Sequence, residues 1–518
     1  MEEIISRFSH IAVKIFEELD NPHFILCKVI SPSWKNFIKE NKFSYIRIVT
    51  TSTKCSKKAV KKTFPIANLE ETMRLASDVT KVYNELLKVK VYDPSLTIFH
   101  LAAKCGSLSV SQLMLNSIED KHPKNSRNQT PLHYAAENGN LDICQLIIGK
   151  NVNKGKSNNS GDSEGNTPIH MAAKNGHLSV CKFLIGCEEK ADNAFSANIQ
   201  NSSENTPLHM AAENGYLSVC QFLVNKVENL NVENILGQTA LSCAITNGHS
   251  PICHLLIESN IDVNISDISG VTPLHLAAEN NLLSVCQKLL ELIDESEPKD
   301  GDGNTPLHFA ARSGHQEICE LLIGNKNDIN AANYHGEIPF HLAAANGHLK
   351  LCNLIIEVHD SNILEYGDDL NLMDYRDQIG PNEHPFYWAA AEGFFEVCKL
   401  FIEKLQEKNP ADYGGYSLLH WAASNGYLEI CQYIIANVSD KNPADQYRFI
   451  TPLHLAAQNG HLKVCQLIVN NITDKEPKNC DGKTPIQLAS DSGHLYCIRN
   501  CSIVEIIQAP LLKKIKLA

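Results

Sequence analysis

Apolar residues recur along most of this chain in one fixed arrangement. In "TPLHMAAENGYLSVCQFLV", residues 206 to 224, Thr206 can cap a helix that Pro207 opens and Asn214-Gly215 closes. Leu217, Val219, Cys220, Leu223 and Val224 then form a broad apolar face at helical spacing. The pattern predicts two short helices joined by a tight turn. Each is about two turns long, well under the ~12 to 15 residues an isolated helix needs in water, so no unit is expected to stand alone. Aligning on Thr206 gives twelve starts: Thr97, Thr130, Thr167, Thr206, Thr239, Thr272, Thr305, Ile338, His384, Ser417, Thr451 and Thr484. Most steps are 33 residues, and the steps of 37 to Thr167, 39 to Thr206, 46 to His384 and 34 to Thr451 read as loop insertions. Stacking of units is the expected consequence.

"TPLHYAAENGNLDICQLII" (130 to 148), "TPLHFAARSGHQEICELLI" (305 to 323) and "TPLHLAAQNGHLKVCQLIV" (451 to 469) carry a Thr-Pro-Leu-His opening, paired alanines and a Gly-His or similar turn. Over roughly 93 to 508 the chain resembles the ankyrin repeat family. That resemblance implies an all-α solenoid of helix-turn-helix units with β-hairpin fingers, whose concave side, made of fingers and first helices, binds other proteins. We therefore expect an array of about twelve repeats at 93–508.

The repeated histidine and cysteine, eleven positions apart, raise the question of metal or thiol chemistry. The two vary independently: His100 goes with Ser111, Ser242 with Cys253, and Tyr387 with Cys398. A ligand pair would not dissolve so freely. Neighbouring units stack at a helix-packing distance of ~8 to 10 Å, whereas disulfide Cα atoms lie within ~7 Å and zinc needs four converging ligands. Cys144, Cys181, Cys220, Cys253, Cys286, Cys319, Cys352, Cys398, Cys431 and Cys465 therefore read as small buried side chains of the second helix. The histidines are expected to hydrogen-bond around the first helix terminus and tie units together. No catalytic residues, metal site or cofactor are expected, because the chain has no phosphate-cradling glycine loop, H-E-x-x-H or G-x-S-x-G elbow.

The formal net charge of −13 argues against nucleic acid and anionic membrane as partners and favours basic or neutral ones. The opening "MEEIISRFSHIAVKIFEELD" lacks a secretory pattern, and no stretch approaches the ~20 apolar residues of a membrane span. A cytoplasmic or nuclear location, with the eighteen cysteines reduced, is the expectation.

Residues 8 to 48 have a different periodicity. Ile11, Ile15, Phe16 and Leu19 fall on one helical face, "DNP" interrupts, Phe24, Cys27 and Ile30 form a second face, and "SPSW" starts a third short helix. The segment resembles an F-box: Ile15-Phe16-Glu17-Glu18-Leu19-Asp20 matches its Ile-Phe-x-x-Leu-Asp, with Phe24, Ile30-Ser31 and Trp34 at the later hallmark positions. Its usual Leu-Pro-x-Glu opening is replaced by "RFSH" at Arg7 to His10. The resemblance implies an F-box-like helical domain at 1–48 that docks the Skp adaptor of a cullin-RING ligase through Ile15, Phe16, Leu19, Phe24, Ile30 and Trp34. The chain would then be a substrate receptor for ubiquitination. The alternative is a helical cap on the first repeat of a plain ankyrin scaffold or pathogen effector. Between lie a basic linker and connecting helix (49–92). The lysines 54, 57, 58, 61 and 62 there read as an import signal, an anion-binding patch or a solvated linker. A basic tail (509–518) ends the chain.

Target recognition is expected in repeats nine to eleven. There the finger tips present Tyr413, Tyr416, Tyr447, Phe449 and Ile450 where early tips are polar, and Trp388 and Trp421 lie nearby. The acidic insertion 357–383 precedes them, so a basic peptide with an apolar anchor is the expected ligand.

Overall fold

The computed structural model describes residues 96–494 except 118–119, 121, 150–159, 187–196, 294–296, 326, 367–384, 405–407, 410 and 413. The F-box-like segment, the linker, the C-terminal tail and most of the acidic insertion lie outside the described residues. Among those residues the secondary structure is helical, with one isolated antiparallel bridge, Ala411 to Ser417. Contacts divide the chain into two compact units between Asp262 and Val263.

The first unit holds repeats one to five, with first helices from Ile98–Lys104 to Ala240–Thr246 and second helices from Leu108–Ser117 to Ser250–Glu258. The second holds repeats six to twelve, whose first helices run from Pro273–Glu279 to Pro485–Asp491. Within each unit, first helices pack on first helices of adjacent repeats and second helices on second helices. The paired alanines explain the close approach: Ala135 and Ala136, Ala211 and Ala212, Ala310 and Ala311 and Ala343 and Ala344 are wholly buried. The ten repeat cysteines lie in the core of the second-helix layer and are almost fully buried. Burial pushes thiols such as Cys144, Cys220, Cys319 and Cys398 up to about 12, so they remain protonated and unreactive near neutral pH.

The histidines tie neighbours together. Thr130 is extended and caps the helix Pro131–Glu137; its backbone N–H donates to His133 Nδ1 at 3.1 Å, and its hydroxyl lies 2.9 Å from the same nitrogen. Because Nδ1 accepts a backbone proton, the neutral ring carries its hydrogen on Nε2. Nε2 then donates to the Asn166 carbonyl of the following finger at 3.0 Å. His170 repeats this with Asn205, His209 with Gln238, His275 with Asn304, His308 with Glu337, His420 with Ile450 and His454 with Lys483. Ser242, at the same position in repeat five, has its hydroxyl 3.3 Å from Thr239 Oγ1 within its own cap.

A second tie runs the other way. His177 Nε2 donates to the Glu137 carbonyl at 2.9 Å, His348 to that of Arg312 at 2.9 Å, and His461 to that of Ser424 at 2.9 Å. Within each unit, adjacent described fingers are also joined by a backbone hydrogen bond, as from Ser202 N–H to the Glu164 carbonyl at 2.9 Å and from Gln446 N–H to that of Gly414 at 2.9 Å. The described fingers turn on an Asn or Asp whose side chain accepts two backbone N–H groups. Asp162 takes those of Glu164 and Asn166, and Asp300 those of Asp302 and Asn304. This residue stands five positions before most repeat starts, so the finger turn has a periodic signal of its own that the helical pattern does not carry.

Candidate functional site

The position after the repeat histidine faces the finger side of the array. Met171, Met210, Leu276, Phe309 and Leu342 fill it in five repeats and are buried, Tyr134 and Leu455 fill it in two more and are half-buried, and repeats nine and ten place Trp388 and Trp421 there. Both indoles are half-buried. Two small residues open the space beside them. Ala391 stands where other repeats carry Glu213, Arg312 or Gln458, and Gly414 lies at the finger turn. The result is a groove of about 530 Å³ walled by Trp388, Trp421, Tyr387 and Tyr416, with Glu392 and Asp412 as its carboxylates.

Packing holds these walls. The Trp388 ring stands edge-on to His341 at 6.4 Å, and Tyr416 tilts against His420 at 5.0 Å and Trp421 at 6.3 Å. The Trp421 Nε1 is shielded from solvent and has no hydrogen-bond partner among the described residues. Asp412 Oδ1 accepts the N–H groups of Gly414 and Tyr416, each at 2.8 Å, which fixes the finger. Partial burial holds the Asp412 carboxyl above the usual range, the backbone N–H donors oppose this, and nearby Asp445 adds to it. Burial, then Asp445, likewise raises the Tyr416 phenol, and Arg448 counters.

The next finger adds exposed aromatics. Its extra residue, the source of the 34-residue step, widens the turn: Asp445 N–H donates to the Ile450 carbonyl, five residues on instead of four. Phe449 takes the left-handed conformation there, with φ of 50°, which is strained for a bulky side chain. Phe449 is 54% exposed and Tyr447 64%. Strain retained at an exposed aromatic points to use of that side chain. Replacing Phe449 with glycine should stabilise the array by about 1 kcal/mol while weakening target binding; thermal melts and a binding titration read the two effects.

Trp388, Tyr416 and Trp421 thus line one groove, and Tyr447 and Phe449 stand exposed on the adjoining finger. Ile450, expected at the exposed tip, is instead buried, and its carbonyl receives His420 Nε2 at 3.1 Å. The inserted residue displaces it inward. Tyr413, and Ile15, Phe16, Leu19, Phe24, Ile30 and Trp34, expected to dock an adaptor, lie outside the described residues. Sequence reading missed Glu392, whose helical offset of four from Trp388 was available as a signal. It also missed exposed apolar tips at Ile235 and Leu236 in the first unit and at Ile268 and Tyr334 in the second.

Among the described residues no three His, Cys, Asp or Glu side chains converge as a metal site would require, and no helix is long and apolar enough to cross a membrane. The family model for ankyrin repeats (3 copies) matches residues 74–158, 151–234, 227–300, 274–365, 362–445 and 437–500. No F-box domain is detected. A similar curated protein is the transient receptor potential cation channel subfamily A member 1 homolog of Caenorhabditis elegans, 39% identical over 51 residues. That match covers 10% of this chain and spans only 4% of the channel's length. Family models that run across most of the sequence, together with stacked two-helix repeats joined by fingers, establish the family: the chain belongs to the ankyrin repeat proteins.

Proposed function

We propose that this chain is a target receptor that holds a polypeptide on repeats nine to eleven and delivers it, through its F-box-like segment, to the Skp adaptor of an SCF-type ubiquitin ligase. Ankyrin repeats bind proteins, and that role requires no catalytic group. The observation that carries the receptor reading is the groove between Trp388 and Trp421, continued by the exposed Tyr447 and Phe449. Half-exposed aromatic side chains at adjoining positions are what recurrent binding anchors look like.

The ligase reading rests on the spacing of Ile15, Phe16, Leu19, Phe24, Ile30 and Trp34. A ligase of that type works by proximity, raising the effective concentration of a target lysine near a charged conjugating enzyme. Purified Skp adaptor should be retained by the full chain and lost on Ile15→Asp or Trp34→Ala, with the array's helical signal unchanged. Absence of retention by the native chain would leave an ankyrin scaffold or pathogen effector without a ligase role.

A further inference from the structure

The groove joins two chemistries that separately have many uses and together have few. The partly exposed rings of Trp388, Tyr416 and Trp421 line it, with Tyr387 buried behind them, and Glu392 and Asp412 supply negative charge beside them. Neither carboxylate makes an ion pair among the described residues. Asp412 spends Oδ1 on the finger backbone, so its other oxygen is the one left to meet a ligand. Asp445 adds negative charge to the same corner. Arg448 is the basic group acting there, close enough to Tyr416 to influence its phenol, and it pairs with neither Glu392 nor Asp412.

We infer that the groove receives an arginine side chain of the bound polypeptide, its guanidinium lying against the indole of Trp388 or Trp421 and its N–H groups reaching Glu392 and Asp412. Planarity decides for arginine over lysine. A guanidinium stacks on an indole face while its edge donates several hydrogen bonds in the ring plane, and it is more weakly hydrated than an ammonium. A neutral apolar side chain would leave the partly buried Asp412 without a counter-charge. The chain's net charge of −13 favours approach of such a basic segment.

The inference rests on the reading of repeats nine to eleven as the target face, and the test separates the two. A library of random twelve-residue displayed peptides is panned against the full chain, and the best peptide is titrated by fluorescence. In a Trp34→Phe background the remaining tryptophans are the two in the groove. Selected peptides are expected to share one arginine. Replacing it with citrulline, its neutral near-isostere, should weaken binding at least 10-fold, and lysine or trimethyl-lysine should also bind less tightly. Glu392→Gln, at an exposed helix end where folding is not at risk, should weaken the arginine peptide several-fold and leave the citrulline peptide unchanged. Trp421→Phe, which keeps a ring in the wall, should weaken it less than Trp421→Ala.

Equal binding of citrulline and arginine peptides, tighter binding of trimethyl-lysine, or indifference to Glu392→Gln would overturn the inference. If selected peptides ignore the groove variants but lose binding with Tyr447→Ser and Phe449→Ser, the receptor reading stands and the arginine pocket falls. If no peptide is selected, both fall.

Discussion

Acidification from pH 6.5 to pH 4 should unfold the repeat array. His133, His170, His308 and His420 are each buried, and desolvation, only partly offset by the hydrogen bond to the next finger's carbonyl, holds each ring down at about 4 against an ordinary 6.5. The same cause lowers His209, His275 and His454. In the unfolded chain these rings take up protons near pH 6.5, whereas in the fold they resist to about pH 4. Between those values the unfolded state binds more protons, so stability rises with pH there. The contribution is complete above pH 6.5 and is lost as pH falls through the window, by roughly 3 kcal/mol for each of the four rings at its lower end. Protonation also places an N–H on Nδ1 facing the backbone N–H of the capping residue, so the cap contact is lost. Melting temperature measured against pH should be level from 7 to 8 and fall steeply between 6 and 5, above the range where exposed carboxylates titrate. A flat profile from 6.5 to 5 would mean that the rings are not buried and neutral.

A methyl group at Gly347 should be nearly as damaging. This glycine closes the first helix of repeat eight in the left-handed region, at φ of 73°, where a side chain costs roughly 1–2 kcal/mol. The Phe394 ring of repeat nine lies against it, so a Cβ would meet ring carbons at 2.3 and 2.5 Å. Phe394 is half-buried, but its whole ring edge, including Cγ at 2.7 Å, stands in the way, and moving it costs a further ~1–3 kcal/mol. Gly347→Ala is therefore expected to destabilise the second unit by about 2 to 5 kcal/mol in denaturant titrations. Gly324, at the end of the second helix of repeat seven, has nothing within 4 Å of where a Cβ would stand and no positive φ, so Gly324→Ala is the control and should be near neutral or stabilising.

Among the described residues, the helix pairs and the packing role of the cysteines are legible because each depends on residues only a few positions apart, and the period because that short pattern recurs. The histidine tie was half legible. Its cap lies three residues away, as in Thr206 with His209, but its second partner, the Gln238 carbonyl, is 29 residues ahead and emerges only when repeats stack. The groove is harder still, since it needs Trp388, Ala391 and Glu392 from one repeat and Gly414, Tyr416 and Trp421 from the next. The aromatic content marked the region without marking the space that Ala391 leaves. Phe449 escaped for another reason. Left-handed positions are recognised by Gly or Asn, and a phenylalanine there is visible only as one residue too many in a finger, the same insertion that carries Ile450 into the interior.

The most direct test of the account is hydrogen exchange on the full chain with and without a bound peptide obtained by panning. Slowed exchange should be confined to the fingers around 411–417 and 445–451 and to the first helices Pro385–Glu392 and Leu418–Asn425. Protection that falls on the second helices Phe395–Lys404 and Leu428–Asn437, or on repeats two to four, would contradict it.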